Sequence, residues 1–241
     1  MPETWIDCLP GASALPREER ERVDAVPNRK RSYNAGHVLL FEEDNAPMLF
    51  VVENGWAAAL RNLADGAEQI LDLFIPGQII GLREVNSDES VLTYHALTDL
   101  DVRLIRKSDM QDLIKGCPSV GALIFSAITR EESWLLDRIT ALAQRDAAQR
   151  LVHLLLELAD RISMDSDEVT GNDFQMPLTQ EQLGSIVGIT PVHVSRTLKK
   201  LKEEGLVSFD TGTVRILDRD RCLTFSEYDA RQMRMNHSSP E

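Results

Sequence analysis

Arg196, Lys199, Lys200 and Lys202 fall within the stretch 191–202, which holds no acidic side chain, in a chain whose formal net charge is -13. An acidic protein repels DNA at long range, so only a local basic surface can dock on phosphates. A guanidinium can also read sequence, because its paired N–H groups match guanine O6 and N7 in the major groove. These residue types offer recognition of a duplex, provided that an element presents them together.

The surrounding sequence supplies that element. In 178–205 (LTQEQLGSIVGITPVHVSRTLKKLKEEG), Thr179 stands three residues before Gln182, a capping-box start. Leu183, Ile186 and Val187 give the first helix one apolar face, and Gly188 is a left-handed stop. Thr190 and Pro191 begin a second helix as N-cap and first helical residue. Val194, Leu198 and Leu201 form its buried stripe, which leaves His193, Arg196, Thr197 and Lys200 on an exposed face flanked by Lys199 and Lys202. Two short helices around a Gly-containing turn read as a helix-turn-helix. After Gly205, Val207 and Phe209 alternate with polar residues, 210–213 turns, and Val214 and Ile216 alternate again. That hairpin makes the motif winged. The candidate DNA contacts are Thr179, Thr190, Val192, His193, Ser195, Arg196, Thr197, Lys199 and Lys200.

Upstream, β-prone runs lie at 38–41, 48–52, 56–60, 69–74 and 102–105 within a region from 31 to about 105. Turn signals separate them, including Asp65-Gly66, a hairpin signal between two runs. Many short strands with Gly and Pro at their corners predict a jelly-roll-like β-roll. A short helix over 107–114, with Ser108 as cap, ends at Cys117-Pro118. A long helix over 119–143 carries two apolar strips. Ile124, Ile128, Leu135 and Leu142 form one, interrupted by Glu131 and Arg138; Leu123, Trp134 and Ile139 form the other. Two strips need two partners, the β-roll and the same helix of a second copy, so a homodimer is expected. Asp146 caps a helix over 147–162, a polar loop covers 164–173, and 218–235 is partly helical. The charged run Arg17 to Arg22 reads as a solvated face, and the tail 236–241 as frayed.

The expected fold class is α+β in this order: β-roll sensor domain (1–117), dimerisation helix (118–144), winged helix-turn-helix (145–225) and tail (226–241). Neither a basic, apolar leader nor an apolar run long enough to span a bilayer is present, so a cytoplasmic protein without membrane contact is expected. Cys8, Cys117 and Cys222 are few, odd in number and far apart, which argues against a disulfide framework or a Cys-rich zinc site. Within the β-roll only His37 and His95 could serve a cupin-like metalloenzyme, with no His-x-His pair, so no enzyme is expected. A non-DNA interaction module is the other class weighed against DNA binding.

This layout resembles the CRP/FNR family of bacterial transcription regulators over nearly the whole chain. The resemblance rests on Phe50 to Gly55 (FVVENG), Asp65-Gly66, Pro76 to Gly81 (PGQIIG), Asp146 to Leu151 (DAAQRL) and the segment 179–205. It implies a homodimer on a palindromic promoter site, with RNA polymerase as a further partner if the protein activates. It also implies an effector, held by β-roll and long helix, that changes the disposition of the DNA-binding domains. The family reads bases with Glu, then Ser or Gly, then Arg; Ser195 and Arg196 match, whereas Val192 stands where the Glu would be. Val192 cannot accept from a cytosine amino group, so the target keeps a guanine and departs from the family's commonest half-sites.

The cyclic-AMP branch would place its phosphate-binding Glu at Leu82, its Arg-Ser pair at Ser90 and Val91, and its adenine-binding Thr-Ser pair at Leu135 and Leu136. Only Arg83 stands nearby to replace the missing Arg, so cyclic AMP is not expected. Leu82, Arg83, Ser90, Leu135 and Leu136 are the candidate effector pocket. A four-cysteine iron–sulfur cluster lacks its thiolates. Haem lacks a ligand in Gly81-Leu82-Arg83, although Pro2 is present and His95 is near in sequence. No cofactor is therefore expected. Cys117, just before the long helix, is a redox candidate, because a helix N-terminus lowers a thiol pKa; the opposing reading is a buried, inert thiol. The effector is left as unidentified or absent, with redox- or haem-responsive regulation on the same fold as the alternative.

Overall fold

The run MLFVV (48–52) is apolar without alternation, and the computed structural model shows two faces at work: Leu49 and Val51 join one apolar cluster, Phe50 and Val52 another. The structure describes residues 4–63, 66, 68–163 and 172–229. They divide into two units within one long helix, between Glu131 and Glu132.

The first unit contains β1 (Asn28–Tyr33), β2 (Val38–Leu40), β3 (Met48–Asn54), β4 (Ala57–Asn62), β5 (Glu68–Phe74), β6 (Ile79–Ile80), β7 (Thr93–Ala96) and β8 (Leu100–Arg106). They form two four-stranded antiparallel sheets, ordered β1-β8-β3-β6 and β2-β7-β4-β5. Phe50, Val52, Ala57, Phe74, Tyr94 and Leu104 fill the space between the sheets. The back of the first sheet is covered by Trp5, Ile6 and Val23 and by α2 (Lys107–Gly116) and the start of α3 (Pro118–Gln144). A strand buried on both faces reads as a continuous apolar run, which is why 48–52 does not alternate. The β-roll matches the expectation; β1, β6 and β7 are additions, β1 because its sequence NRKRSY is polar and exposed up to Tyr33, β6 and β7 because each is too short to show a period. The hairpin joining β4 to β5 forms, with Asn62 opposite Glu68, but Asp65 itself lies outside the described residues.

The charged run is a correction. It forms α1 (Arg17–Asp24), yet it is not merely solvated. The Glu19 carboxylate accepts hydrogen bonds from Ser119 N (3.0 Å), Val120 N (3.1 Å) and the Ser119 hydroxyl (3.1 Å), capping the start of α3. Arg22 Nη1 donates to Gly116 O at 2.9 Å, at the end of α2. The run thus satisfies helix-end groups that have no partner within their own helices. Arg106, not Ser108, is the N-cap of α2.

The buried stripe of α3 is Val120, Ile124, Ala127, Glu131, Trp134, Arg138 and Ala141, at alternating spacings of four and three. Glu131 and Arg138 do not interrupt it; they belong to it. The spacing also separates Trp134, 3% exposed, from Ile139, 60% exposed, two residues that the sequence placed on one strip. Phe125, Leu136, Ile139 and Leu142 are exposed instead. Among the described residues no single helix is long and apolar enough to cross a membrane.

The second unit continues with α4 (Ala147–Ser163), β9 (Asp173–Gln175), α5 (Gln180–Val187), α6 (Pro191–Glu203), β10 (Val207–Asp210), β11 (Thr213–Ile216) and α7 (Arg219–Ser226). Asp146 caps α4 as expected: its Oδ1 accepts from Ala148 N and Gln149 N, each at 2.9 Å. Leu151, Leu154, Leu155 and Leu158 are buried as their spacing predicts, together with His153, Glu157 and Arg161. β9 begins at the last residue of the expected loop, has no counterpart in the sequence reading, and joins β11, Phe174 opposite Val214. Most of the expected loop over 164–173, the end of the stretch 218–235 and the tail 236–241 lie outside the described residues.

His153 is 2% exposed, its Nδ1 2.5 Å from Arg145 Nη1 and its ring edge-on to Tyr228. Arginine only donates, so Nδ1 accepts and the imidazole is neutral. Burial pushes its pKa down to about 4, Arg145 and Arg138 acting the same way and Glu157 opposing them. The unfolded chain therefore binds the extra proton between pH 6.5 and about 4, and stability falls as pH drops through that window. Urea unfolding should show His153→Asn gaining on the natural chain by roughly 2 kcal/mol between pH 7 and pH 5. A difference that does not change with pH contradicts a neutral His153.

Candidate nucleic-acid interface

α5 and α6 form where the capping signals place them. The Thr179 hydroxyl accepts from Gln182 N at 3.1 Å, while the Gln182 side chain accepts from Thr179 N at 2.9 Å. Gly188 takes φ 69°, which glycine tolerates for lack of a Cβ. Gly184 is a residue that sequence reasoning missed: a Cβ there would lie 2.5 Å from the Ile189 carbonyl oxygen, so the turn closes only over glycine. A helical glycine leaves no signal in the apolar period. Thr190 caps α6, its hydroxyl accepting from His193 N at 3.3 Å.

Val194, Leu198 and Leu201 are buried as expected, and Val192, His193, Ser195, Arg196, Lys199 and Lys200 are exposed. Thr197 is a correction, being only 6% exposed. Positions 194, 197, 198 and 201 share one helix face at spacings of three and four, so Thr197 belongs to the buried stripe. Thr190, Val192, His193, Arg196 and Lys200 line one shallow depression, with Thr197 at its edge where the exposed face meets the buried stripe. Arg196 makes no ion pair or hydrogen bond among the described residues.

The lysines are not unopposed. Lys199 lies 3.9 Å from Glu203 and Lys200 3.7 Å from Glu204, just beyond the stretch free of acids. Such exposed pairs contribute little, so phosphates can replace the carboxylates. Lys202 reaches Asp210 of the wing at 2.8 Å. The wing is the expected hairpin, Val207 opposite Ile216 and Asp210 opposite Thr213. Its turn holds Thr211 and Gly212 at φ 49° and 80°, the doubly left-handed form that matches strand twist.

The candidate effector residues lie in two units. In the first, Leu82 is buried, and the buried Ser90 hydroxyl donates to Leu92 O at 2.7 Å. The Arg83 guanidinium bonds to the Asp72 carboxylate and stands 3.7 Å from Glu131 Oε2 on α3. Both carboxylate groups are nearly buried. Next to Arg83 in sequence, Glu84 accepts the Tyr94 hydroxyl at 2.7 Å, and burial followed by the Glu84 charge pushes the Tyr94 pKa up. Leu135 is half-buried and Leu136 is 57% exposed, both in the second unit. Asp72 and Glu131 were missed because each sits at an apolar-period position, where a carboxylate looks like an interruption.

Cys117 is 1% exposed, with Arg22 Nη1 3.9 Å from its Sγ. The amides at the start of α3 are taken by Glu19, so they are not offered to a thiolate there. Cys8 donates to Trp5 O, and burial pushes the Cys222 thiol up to about 11. His95 of β7 lies opposite Val38, the residue that follows His37 at the start of β2. Among the described residues, however, no three potential ligands gather as a metal site would require.

Residues 149–221 match the Crp-like helix-turn-helix domain, and residues 30–117 the cyclic nucleotide-binding domain. The chain is 30% identical over 221 residues to the probable transcriptional regulator flp of Lacticaseibacillus casei, covering 91% of this chain and 97% of that protein. It is 24% identical over 211 residues to the transcriptional activator protein FnrA of Stutzerimonas stutzeri, covering 88% and 85%. Among solved structures, FixK2 from Bradyrhizobium japonicum shares the fold, with a TM-score of 0.76 and 22% identity over 85% of this chain and 100% of that one. With the capped helix-turn-helix, the wing and the two-sheet β-roll, these likenesses assign the chain to the CRP/FNR family of DNA-binding transcriptional regulators.

Proposed function

We propose that the protein is a cytoplasmic, non-enzymatic homodimer that reads an inverted-repeat promoter site through Arg196, with the surrounding α6 residues on the same duplex. The observation that carries this reading is the free guanidinium of Arg196 on the exposed face of α6, in a strongly acidic chain. Val192, His193, Ser195, Lys199 and Lys200 stand beside it; Thr179 and Thr190 sit at helix starts, where backbone N–H groups suit phosphates. RNA polymerase is a partner if the site lies where the regulator activates. Dimerisation is supported by the outer strip of α3, with Phe125 67%, Leu136 57%, Ile139 60% and Leu142 42% exposed. Large exposed apolar side chains that recur along one helix call for a partner, and a second α3 has the matching period.

Cyclic AMP is not part of this reading. Asp72 and Glu131 already neutralise Arg83, the cation that the sequence offers as a replacement for the missing Arg, and a buried phosphate needs a free one. No haem or iron–sulfur role is proposed either.

Gel-shift titration should show Arg196→Ala losing about 1–3 kcal/mol on the cognate site and relaxing the preference at one base pair. Lys200→Ala should weaken all duplexes about equally and lower the salt slope by about one unit. An Arg196→Ala protein with undiminished affinity and preference removes Arg196 from base reading.

Sedimentation should find the natural chain dimeric and Ile139→Glu monomeric at micromolar concentration, because the charge would be buried without a counter-ion. A variant that stays dimeric places the interface elsewhere.

A further inference from the structure

Four side chains interlock the second half of α3 with α4. Arg138 Nη2 donates to Glu157 Oε1 at 2.6 Å, and Arg161 Nη1 donates to the same oxygen at 3.0 Å. The Arg161 guanidinium lies over the Trp134 ring, 4.5 Å from its centre. Each helix contributes a pair four residues apart, so the contacts cross from helix to helix twice. Trp134, Arg138, Glu157 and Arg161 are 3%, 7%, 0% and 3% exposed, and Glu157 Oε2 has no hydrogen-bond partner. Two positive charges and one negative are thus held out of water.

We propose that Arg138, Glu157 and Arg161 are positioning residues for DNA recognition. They set the angle and register at which α4 leaves α3. Apolar side chains of similar volume would avoid the desolvation cost and fill the same seam, so stability alone does not account for the trio. An apolar seam can slide; one carboxylate oxygen held by two guanidiniums has one register. α4 packs against α5, α6 and α7, so its seating on α3 sets where α6 points. In a dimer two such helices must meet half-sites about 34 Å apart, and a small angular error at the seam is carried to both. The last step rests on the proposed dimer.

The test uses the full chain carrying Arg138→Met, Glu157→Leu and Arg161→Met together. Thermal melting should show a Tm equal to or above that of the natural chain. Electron–electron resonance between labels at Thr140→Cys on α3 and Glu203→Cys on α6, in a Cys8→Ser background diluted with unlabelled chain, should give a narrow distance distribution that broadens in the triple variant. This reading needs neither DNA nor a dimer, and an unchanged width overturns the proposal. Affinity for a single half-site should stay within about twofold while affinity for the inverted repeat falls by about tenfold or more. If the triple variant melts far lower and loses both affinities together, the trio is only core packing, which also overturns it. If the natural chain itself does not prefer the repeat to the half-site, the dimer reading fails, and the width measurement still decides the seam. Glu157→Gln should lower the Tm, because it removes the buried carboxylate to which both guanidiniums donate.

Discussion

A charge buried in a helix seam must meet its counter-charge, and α3 carries two such charges seven residues apart. Glu131 meets Arg83 in the first unit, and Arg138 meets Glu157 in the second. Both occupy positions of the buried stripe where an apolar side chain would be the default. Breaking either pair by removing one partner leaves an uncompensated ion out of water, a loss on the order of 3–5 kcal/mol for a fully buried pair. The Arg83 pair is looser, because that side chain keeps about a fifth of its exposure and its Glu131 contact is 3.7 Å long. Around these pairs the rest of α3 is conventional, with small and branched apolar residues against the β-roll and Glu19 capping its first turn.

Electrostatics divide the DNA-binding unit in the same way. Exposed lysines on α6 face glutamates one turn on, at distances near 4 Å, where solvent leaves little net attraction. Those pairs yield readily to phosphate. Among the described residues Arg196 has no such partner, so on the proposed reading its guanidinium needs no exchange of partners to meet a base edge. The interior pairs do the reverse: their partners are fixed, and they gain geometry at the expense of solvation.

The legible parts of the sequence were those with short-range causes. Thr179, Thr190 and Asp146 act as caps where the spacing predicts, and the 210–213 turn forms the wing, because each needs only neighbours in the chain. Thr197 was misplaced because its polarity suggested exposure while its position in the 194–197–198–201 series dictated burial. Glu131 and Arg138 were read as breaks in an apolar pattern, and Asp72 passed without notice in the run 69–74, since their partners come from other elements and no local pattern announces them. The run at Arg17 to Arg22 shows the same limit: Glu19 finds helix-end amides 100 residues away. In the candidate effector site, the absence of a phosphate-binding Arg at Ser90 was visible in the sequence, but the commitment of Arg83 to two carboxylates was not.

The two long faces of α3 therefore differ in kind. The inner face holds ion pairs, whose energy depends steeply on distance and on the orientation of each partner, and it tolerates one arrangement. The outer face, with Phe125, Leu136, Ile139 and Leu142, offers apolar area, whose contribution is non-directional and roughly proportional to what is covered. A regulator that must present two recognition helices at a fixed separation needs both properties in one element. Association strength can come from area, at about 25 cal/mol per Å² covered, but spacing cannot. Spacing has to come from contacts that fail when they are displaced, and on the reading proposed above Arg138, Glu157 and Arg161 supply such contacts at the joint of α3 with α4.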